Sequence, residues 1–251
     1  MEETGTLPAP DGTPLAFRRL PGSGPGVVFL GGFHSDMTGS KAEYLATWCA
    51  ARGTPFLRMD YSGHGASGGR FEDGTIGRWT ADAEAALLAL TDGPQMIVGS
   101  SMGGWIALLL ALRHPARVRA LVGIAPAPDF TEDLMWAQFP PAVREAILRD
   151  GAWRRPSDYG EPYPITRALI EDGRAHLLLG GRIGIQAPVR ILQGDADPDV
   201  PWQHALRLAA ALDSADVRVT LVKGGDHRLS TPRDLSLLGD TLAALLREDG
   251  A

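Results

Sequence analysis

The sequence contains almost no cysteine and no long hydrophobic run, and each of these absences excludes a class of protein. The single cysteine, Cys49, has no second thiol to pair with, so a fold built on intrachain disulfides is excluded. The longest apolar run, GWIALLLAL, is too short to span a bilayer, so we expect no stable membrane insertion. The 30 acidic side chains outnumber the 24 basic ones, and no basic stretch indicates a nucleic-acid partner.

The first residues also lack the features of a targeting segment. MEETGTLPAPDG is acidic and rich in proline, whereas a secretory signal has a basic start followed by an apolar core, and no transit peptide is recognisable. We therefore expect a cytoplasmic protein. A chain of 251 residues is long enough to bury one sizeable core, and we expect a single domain over residues 1–251 that is a monomer or a weak dimer.

Short apolar runs alternate with longer amphipathic runs along most of the chain, which predicts an α/β fold. We expect a mostly parallel central sheet with helices on both faces. The predicted strands are 15–20, 26–30, 55–60, 95–99, 118–126, 189–194 and 217–222. The predicted helices are 41–53, 76–90, 104–115, 202–212 and 235–248.

The alternation stops in one segment, residues 128–187 approximately, which is rich in proline, tryptophan and charge. We interpret this segment as a small cap insertion of short helices. It should lie over the carboxyl edge of the sheet, where open α/β sheets bind ligands.

Two stretches match the pattern G-x-S-x-G, namely GSSMG around Ser101 and GASGG around Ser67. Only Ser101 lies between an apolar strand and an apolar helix, which is the setting of a nucleophile on a sharp turn. Ser67 lies in a loop without a helix behind it, so we do not expect it to react. Helix capping by Ser101 is the structural alternative. If Ser101 is the nucleophile, the N–H of Met102 that follows it is one donor to the oxyanion.

A serine hydroxyl needs an adjacent base, and in such proteins the chain order is serine, acid, histidine. Of the six histidines, His227 lies in a glycine-rich loop directly after the last predicted strand. The others precede the serine or lie in predicted helices or in the insertion. The acid should follow the strand 189–194, where the loop QGDADPDVPW offers Asp195, Asp197 and Asp199. The spacing does not choose among these three.

GSSMGG, QGDADPDVP and GGDH, in this order, resemble the serine-dependent α/β-hydrolases, as does the loop DYSGHGASGG. The acid loop of that family commonly reads HG-x-x-D-x-x-VP, and this chain matches it except that Gln193 stands in place of the histidine. The resemblance implies that Asp197 is the acid, with Asp199 as the fallback. It also implies that His64 is a hydrogen-bonding loop residue rather than a catalyst.

The same resemblance implies the second donor to the oxyanion. Family members usually carry HG-x after the strand that corresponds to 26–30, and here the loop reads GGFHSD. Gly31 replaces the histidine and Phe33 falls on the donor position, with Gly32 as the second choice. No metal or organic cofactor is implied.

A narrower likeness covers nearly the whole chain, through GSKAEYLATWC, GRWTADAEAAL, DGPQMIVGSSMGGW and DPDVPW. These stretches resemble the branch of the family that includes a mitochondrial palmitoyl-protein thioesterase, also described as an acyl-glucuronide esterase. The resemblance implies hydrolysis of a carboxylic ester or thioester, with a small molecule or an acylated protein as substrate. A non-catalytic ligand receptor on the same fold, and a carbon–carbon bond hydrolase or peptidase with the same triad, remain alternatives. Apolar residues that would line an acyl site are Trp105, Met135, Trp136, Phe139 and Trp202.

Overall fold

The computed structural model describes residues 2–22, 24–156 and 162–247 of the chain. Residues 1, 23 and 248–251 of the predicted domain, and residues 157–161 of the predicted insertion, lie outside this described part.

The described elements follow the predicted α/β alternation closely, and the helix predicted for 76–90 has those bounds. The strands are β1 (Glu3–Pro8), β2 (Pro14–Leu20), β3 (Val27–Leu30), β4 (Phe56–Met59), β5 (Gln95–Ser100), β6 (Val118–Ile124), β7 (Ala152–Arg155), β8 (Tyr163–Thr166), β9 (Val189–Gly194) and β10 (Val217–Val222). The helices are α1 (Ser40–Ala50), α2 (Ile76–Leu90), α3 (Met102–Arg113), α4 (Pro141–Asp150), α5 (Arg167–Arg174), α6 (Trp202–Ala211) and α7 (Pro232–Arg247).

Eight of the strands form one sheet in the order β1-β2-β4-β3-β5-β6-β9-β10. β1 and β2 are antiparallel to their neighbours, and the remaining pairs are parallel. The chain runs from β3 outward to β4 and then returns to place β5 on the other side of β3. The point where the strand order reverses is therefore between β3 and β5, which is where open α/β sheets bind ligands.

Helices cover both faces of the sheet, which confirms the predicted fold class. On one face α2, α3 and α6 pack on the sheet, and on the other face α1 and α7 do so. β3 shows how one strand serves both cores: Val28 and Leu30 belong to the first and Val27 and Phe29 to the second. The strand is apolar at every position because both of its faces are buried.

β1 was not predicted, because its sequence ETGTLP is short, polar and ends in proline. The structure pairs it along its whole length with β2 at the edge of the sheet, where proline is tolerated. The preceding residue, Glu2, forms an ion pair with Arg58 on β4, at 2.7 Å, and the Arg58 side chain is only 1% exposed. This long-range pair, together with backbone pairing, holds a segment that local sequence signals describe as a loop.

The connection between β6 and β9 contains α4, α5 and the two-stranded antiparallel sheet β7–β8. The strands of this hairpin were not predicted. The two ends of the connection are joined by the buried carboxylate of Asp129, which accepts hydrogen bonds from the N–H groups of Leu178 and Leu179, both at 2.8 Å. Asp129 has a positive φ of 60°, a strained conformation for a residue other than glycine.

Candidate active site

Ser101 occupies the turn between β5 and α3 in a strained conformation, with φ 53° and ψ −116°. Its backbone is fixed on both sides. The Ser101 N–H donates to the Ile124 carbonyl at 2.9 Å, and its carbonyl accepts from Gly104 and Ala127 at 2.9 and 3.1 Å. The Ser101 side chain makes no capping hydrogen bond to the helix. The capping alternative is therefore not what the geometry shows.

The glycines on either side of Ser101 allow the sharp turn because no side chain would fit at their positions. A Cβ on Gly99 would overlap the carbonyl of Gly103, and a Cβ on Gly103 would overlap the carbonyl of Leu30 at the end of β3. The turn at Ser101 thus packs backbone against backbone, and this packing requires the two glycines of the G-x-S-x-G pattern.

Ser101, His227 and Asp197 are brought together at the carboxyl edge of the sheet from three separate connections. Nε2 of His227 lies 3.1 Å from Oγ of Ser101, and Nδ1 of His227 lies 2.8 Å from Oδ2 of Asp197. An ionised carboxylate can only accept, so Nδ1 carries the proton and Nε2 is free to accept from the serine hydroxyl. The tautomer of His227 that a general base requires is thereby set by Asp197.

The Asp197 side chain is fully shielded from solvent and held as a carboxylate by several donors. Burial by itself raises its pKa, but the hydrogen bonds from His227, Val200 and Asp199 outweigh burial and hold the pKa below the ordinary value. The backbone N–H groups of Asp199 and Val200 both donate to Oδ1, at 2.8 and 2.9 Å. Gln193 donates from Nε2 to Oδ2 at 3.1 Å.

In the described structure, neither of the other two carboxylates of the acid loop is hydrogen-bonded to His227. Asp195 accepts hydrogen bonds from Nζ of Lys223 and from the N–H of Gly224, at 2.9 and 2.6 Å. Asp199 is exposed, although a carboxylate oxygen of it lies within 4.8 Å of ligand atoms of Asp197 and His227. These three side chains are the described group best placed to share a metal ion. Two of them are already hydrogen-bonded to each other, which favours an acid–base pair over a metal site.

The two backbone groups expected to bind an oxyanion flank Ser101. Met102 is the first residue of α3, so its N–H has no acceptor within the helix. The loop after β3 runs beside Ser101, since a Cβ on Gly32 would lie 3.4 Å from Cβ of Ser101. Within the described residues, the N–H of Phe33 donates to no protein atom. The half-buried Phe33 ring packs edge-on against Phe71, with centroids 5.0 Å apart.

The apolar residues expected near an acyl chain differ in how accessible they are. Trp105 has no exposed surface, and its indole N–H donates to the carbonyl of His176 at 3.1 Å, so it ties α3 to the connection between β6 and β9. Met135 is buried in that connection, at 6% exposure. Trp136 is half-buried and stacks under the guanidinium of Arg174, at 4.9 Å. Trp202 is the half-buried first residue of α6, next to the acid loop.

Ser67 has a different environment from Ser101, as the sequence predicted. Its Oγ accepts from the N–H of Ala16 and donates to the carbonyl of Asp60, at 2.8 and 2.7 Å, so the hydroxyl ties its loop to β2 and to the residue that follows β4. Within the described residues, its hydroxyl is not hydrogen-bonded to a histidine side chain.

Sequence reasoning missed three side chains that surround the site. Gln193 contacts Asp197, and the only sequence signal for this contact is the place of Gln193 at the family's histidine position. Tyr163 of β8 stacks on His34 at 5.1 Å, next to Phe33, but the hairpin that carries it was not predicted. Lys41 donates from Nζ to the carbonyl of Arg228, at 2.5 Å, beside His227.

A family model described as serine aminopeptidase S33 matches residues 25–157 of the chain. The mitochondrial palmitoyl-protein thioesterase ABHD10 of Bos taurus is 38% identical over 242 residues, which cover 96% of this chain and 79% of that protein. A crystal structure of a putative hydrolase from Agrobacterium vitis S4 superposes with a TM-score of 0.94 at 44% identity, covering 98% of this chain and 99% of the other. The structure of α/β hydrolase domain-containing protein 10 from mouse gives a TM-score of 0.91 at 37% identity, with the same coverage.

These comparisons correct one expectation. The thioesterase relatives are named as mitochondrial proteins, which points away from a cytoplasmic location, so the location predicted from the sequence is wrong. Within the described residues, no helix combines the length and the apolar character needed to cross a membrane.

Proposed function

Because the chain belongs to the α/β-hydrolase family and is a hydrolase of the esterase or thioesterase type, we propose that it works through an acyl-enzyme on Ser101. The observation that carries this proposal is the continuous hydrogen-bonded series from Oγ of Ser101 through His227 to Asp197. Asp197 is the acid of this series and Asp199 is not, since only the Asp197 side chain is buried and hydrogen-bonded to the histidine.

In the first step His227 removes the proton of Ser101 through Nε2, and Oγ attacks the acyl carbon. The C–O bond to the enzyme forms as the carbonyl π pair moves onto oxygen. The oxyanion binds to the N–H groups of Met102 and Phe33, whose donors are not used elsewhere in the described protein. Asp197 stabilises the imidazolium without becoming protonated itself.

In the second step the tetrahedral intermediate collapses and the bond to the leaving alcohol or thiol breaks. The leaving group takes the proton from Nε2 of His227, and the acyl group remains on Ser101. A water molecule then gives a proton to His227 and attacks the acyl carbon. Release of the carboxylic acid returns the hydroxyl of Ser101 and the neutral histidine.

We assign residues 128–187 to a cap over this edge of the sheet. The assignment is supported by Asp129, which fastens the beginning of this segment to Leu178 and Leu179 near its end. Met135 and Trp136 of the cap, with Trp202 of α6, supply apolar surface for an acyl chain. The substrate is a small acyl ester or thioester or an acylated protein, in agreement with the thioesterase name of the relatives.

The test is hydrolysis of p-nitrophenyl esters from acetyl to palmitoyl, and of the matching acyl thioesters, by the wild type and by Ser101→Ala. We expect turnover by the wild type and none by the variant, with a chain-length optimum that measures the acyl site. Ser67→Ala is the matched control, because it removes the serine of the second G-x-S-x-G match and should remain active.

Equal activity of wild type and Ser101→Ala would overturn the proposal. No turnover by either protein, together with tight binding of an acyl compound, would favour the non-catalytic receptor.

A second candidate is peptide hydrolysis, which the description of the matching family model favours. The same Ser101 series would attack an amide, with His227 protonating the leaving amine. Aminoacyl p-nitroanilides distinguish the two: a kcat/KM for the anilide above that for the p-nitrophenyl ester would assign the protein as a peptidase.

A further inference from the structure

We propose that His64 is a positioning residue for the oxyanion site, acting through the backbone of His34 on the loop that carries the Phe33 N–H. This inference rests on the proposed function, because it assigns the support of a donor that the acyl-transfer mechanism uses. His64 does not touch Ser101 or His227 in the described contacts.

The contact between His64 and the loop is a hydrogen bond to the imidazole ring. The N–H of His34 donates to Nε2 of His64 at 3.3 Å, and Nδ1 of His64 lies 3.3 Å from the carbonyl of Ser62. A backbone N–H can only donate and a carbonyl can only accept. Nε2 must therefore carry the lone pair and Nδ1 the proton, so one tautomer of a neutral ring satisfies both partners.

The ring is held in this orientation by aromatic neighbours. His64 is 4% exposed, and its ring contacts Phe71 and Trp79 edge-on with centroids 5.2 and 5.1 Å away. The ring of Phe33 packs on the same two side chains, with centroids at 5.0 and 5.8 Å. The His64 ring and the Phe33 ring therefore pack against the same aromatic surface, which Phe71 and Trp79 form.

The loop needs such support because its conformation is strained at the residue after the donor. His34 has a φ of 58°, in the left-handed region that residues other than glycine rarely adopt. The His34 ring also stacks on Tyr163 at 5.1 Å. At the start of the loop, the hydroxyl of Tyr61 donates to the carbonyl of Gly31 at 3.3 Å. Tyr61 and His64, two residues of one neighbouring loop, thereby hold the backbone on both sides of Phe33, at Gly31 and at His34.

The electrostatic environment keeps His64 neutral. The pKa of His64 is lowered to about 4: burial is the largest cause, the hydrogen bond to the Ser62 carbonyl acts in the opposite sense, and the nearby His34 adds to the lowering. A protonated ring would present N–H to the N–H of His34 and lose the acceptor. The geometry and the charge state therefore require the same tautomer.

The test compares His64→Leu, which removes the acceptor, with His64→Gln, whose Oε1 can accept from His34. Two quantities are measured on the purified full chain: kcat and KM for the best p-nitrophenyl ester, and the Ki of the trifluoromethyl ketone with the same acyl chain. In the inhibited enzyme Oγ of Ser101 bonds to the ketone carbon, the π pair moves onto oxygen, and the Oγ proton moves to His227. The Ki therefore reports on the oxyanion donors without turnover.

We expect His64→Leu to lower kcat about 30-fold and to raise the Ki by a similar factor, with KM changed less than about threefold. His64→Gln should recover most of both losses. His204→Leu is the matched control. It removes another buried histidine that bonds a backbone carbonyl, that of Pro128 at 2.7 Å, so it should lower the melting temperature but leave kcat and Ki in place.

A kcat within threefold of the wild type in His64→Leu, or a lower kcat with an unchanged Ki, would overturn the proposal. If His64→Leu does not fold, ¹⁵N NMR of the histidine side chains in the wild type decides. A proton on Nδ1 together with an unprotonated Nε2 down to about pH 5 supports the proposal, and a proton on Nε2 above that pH overturns it.

The outcomes separate this inference from the proposed function. Turnover that survives in Ser101→Ala refutes the acyl-enzyme mechanism, whatever His64 does. A Ser101-dependent esterase whose Ki is insensitive to His64 keeps the mechanism and refutes only the positioning role.

Discussion

Nε2 of Gln193 lies 3.1 Å from Oδ2 of Asp197, the same carboxylate oxygen that accepts the hydrogen bond from Nδ1 of His227. The amide also donates to the Val200 carbonyl at 3.0 Å, and Gln193 has no exposed surface. Turning the amide over would place Oε1 against two acceptors, so this orientation is the one that satisfies its neighbours. Oε1 itself is buried without a partner in the described protein. Gln193 therefore holds the Asp197 carboxylate in its orientation.

This contact predicts a loss of activity when Gln193 is replaced by a residue of similar shape that cannot donate. Gln193→Met should lower kcat/KM about tenfold, since a small displacement of Asp197 misaligns His227. Gln193→Glu should cost more, because it places a second carboxylate beside the first. Steady-state hydrolysis of the best p-nitrophenyl ester measures both effects.

The matched control for Gln193 is Gln95→Met at the start of β5. Gln95 is also buried, at 3% exposure, and its side chain donates to carbonyls of the loop before β5, those of Asp92 and Gly93. The control should lose stability and keep its kcat/KM. Wild-type kcat/KM in Gln193→Met would show that Asp197 needs no support from this side chain.

The choice between Asp197 and Asp199 gives a second prediction. Asp197→Asn should lower kcat by about 10³–10⁴, because an amide facing His227 stabilises the wrong tautomer. Asp199→Asn should change kcat less than about threefold, since this exposed carboxylate is not hydrogen-bonded to the histidine. Parallel kinetics and circular dichroism of the two variants decide the assignment, and the reverse order of effects would make Asp199 the acid.

The sharp turn at Ser101 could be predicted because it depends on local sequence. The same holds for the order of the loops that carry Ser101, Asp197 and His227. A buried strand, a glycine-flanked serine and an apolar helix identify Ser101 without knowledge of distant residues, and His227 follows from its place after the last strand. The acid is different. Aspartate is a good turn residue, so the spacing does not distinguish Asp195, Asp197 and Asp199. Only the resemblance to the family indicates Asp197. The structure separates them by hydrogen bonding and burial.

The remaining parts of the site depend on contacts between residues far apart in the chain. The hydrogen bond between His34 and His64 joins residues 30 positions apart in the sequence, and the one between Lys41 and Arg228 joins residues 187 positions apart. β1 depends on pairing with β2 and on the pair between Glu2 and Arg58. Local periodicity and turn signals carry no information about contacts between distant residues, so these contacts could not be predicted from the sequence.

A third prediction concerns the serine of the second G-x-S-x-G match. Ser67→Ala should leave kcat and KM within about twofold of the wild type. It should lower the free energy of unfolding by about 1–2 kcal/mol, because the N–H of Ala16 loses its acceptor in a partly buried position. Urea unfolding and ester hydrolysis on the same preparation measure both. A large loss of kcat at full stability would contradict the structural role.

The last prediction uses Lys41, which ties α1 to the loop that carries His227. Its Nζ donates to the Arg228 carbonyl and lies 3.4 Å from Oγ of Ser230. Burial is the main cause that lowers its pKa from 10.5 to about 8, and Arg228 adds to this, while Asp226 and Asp234 act against it. Between about pH 8 and 10.5 the unfolded chain therefore binds more protons at Lys41 than the folded chain does. In this window the lysine's contribution to the free energy of unfolding rises with pH.

Replacement by methionine removes this titration, so the comparison of wild type with Lys41→Met isolates it. The unfolding free energy of the wild type minus that of the variant should grow by about 2 kcal/mol from pH 7 to pH 10, since each pKa unit corresponds to about 1.4 kcal/mol. Urea unfolding at both pH values measures the difference. Lys223→Met is the control, because this lysine is 95% exposed and its replacement removes a charge without removing a buried amine. A difference for Lys41→Met that stays constant or shrinks between the two pH values would show that the amine is solvated in the folded state.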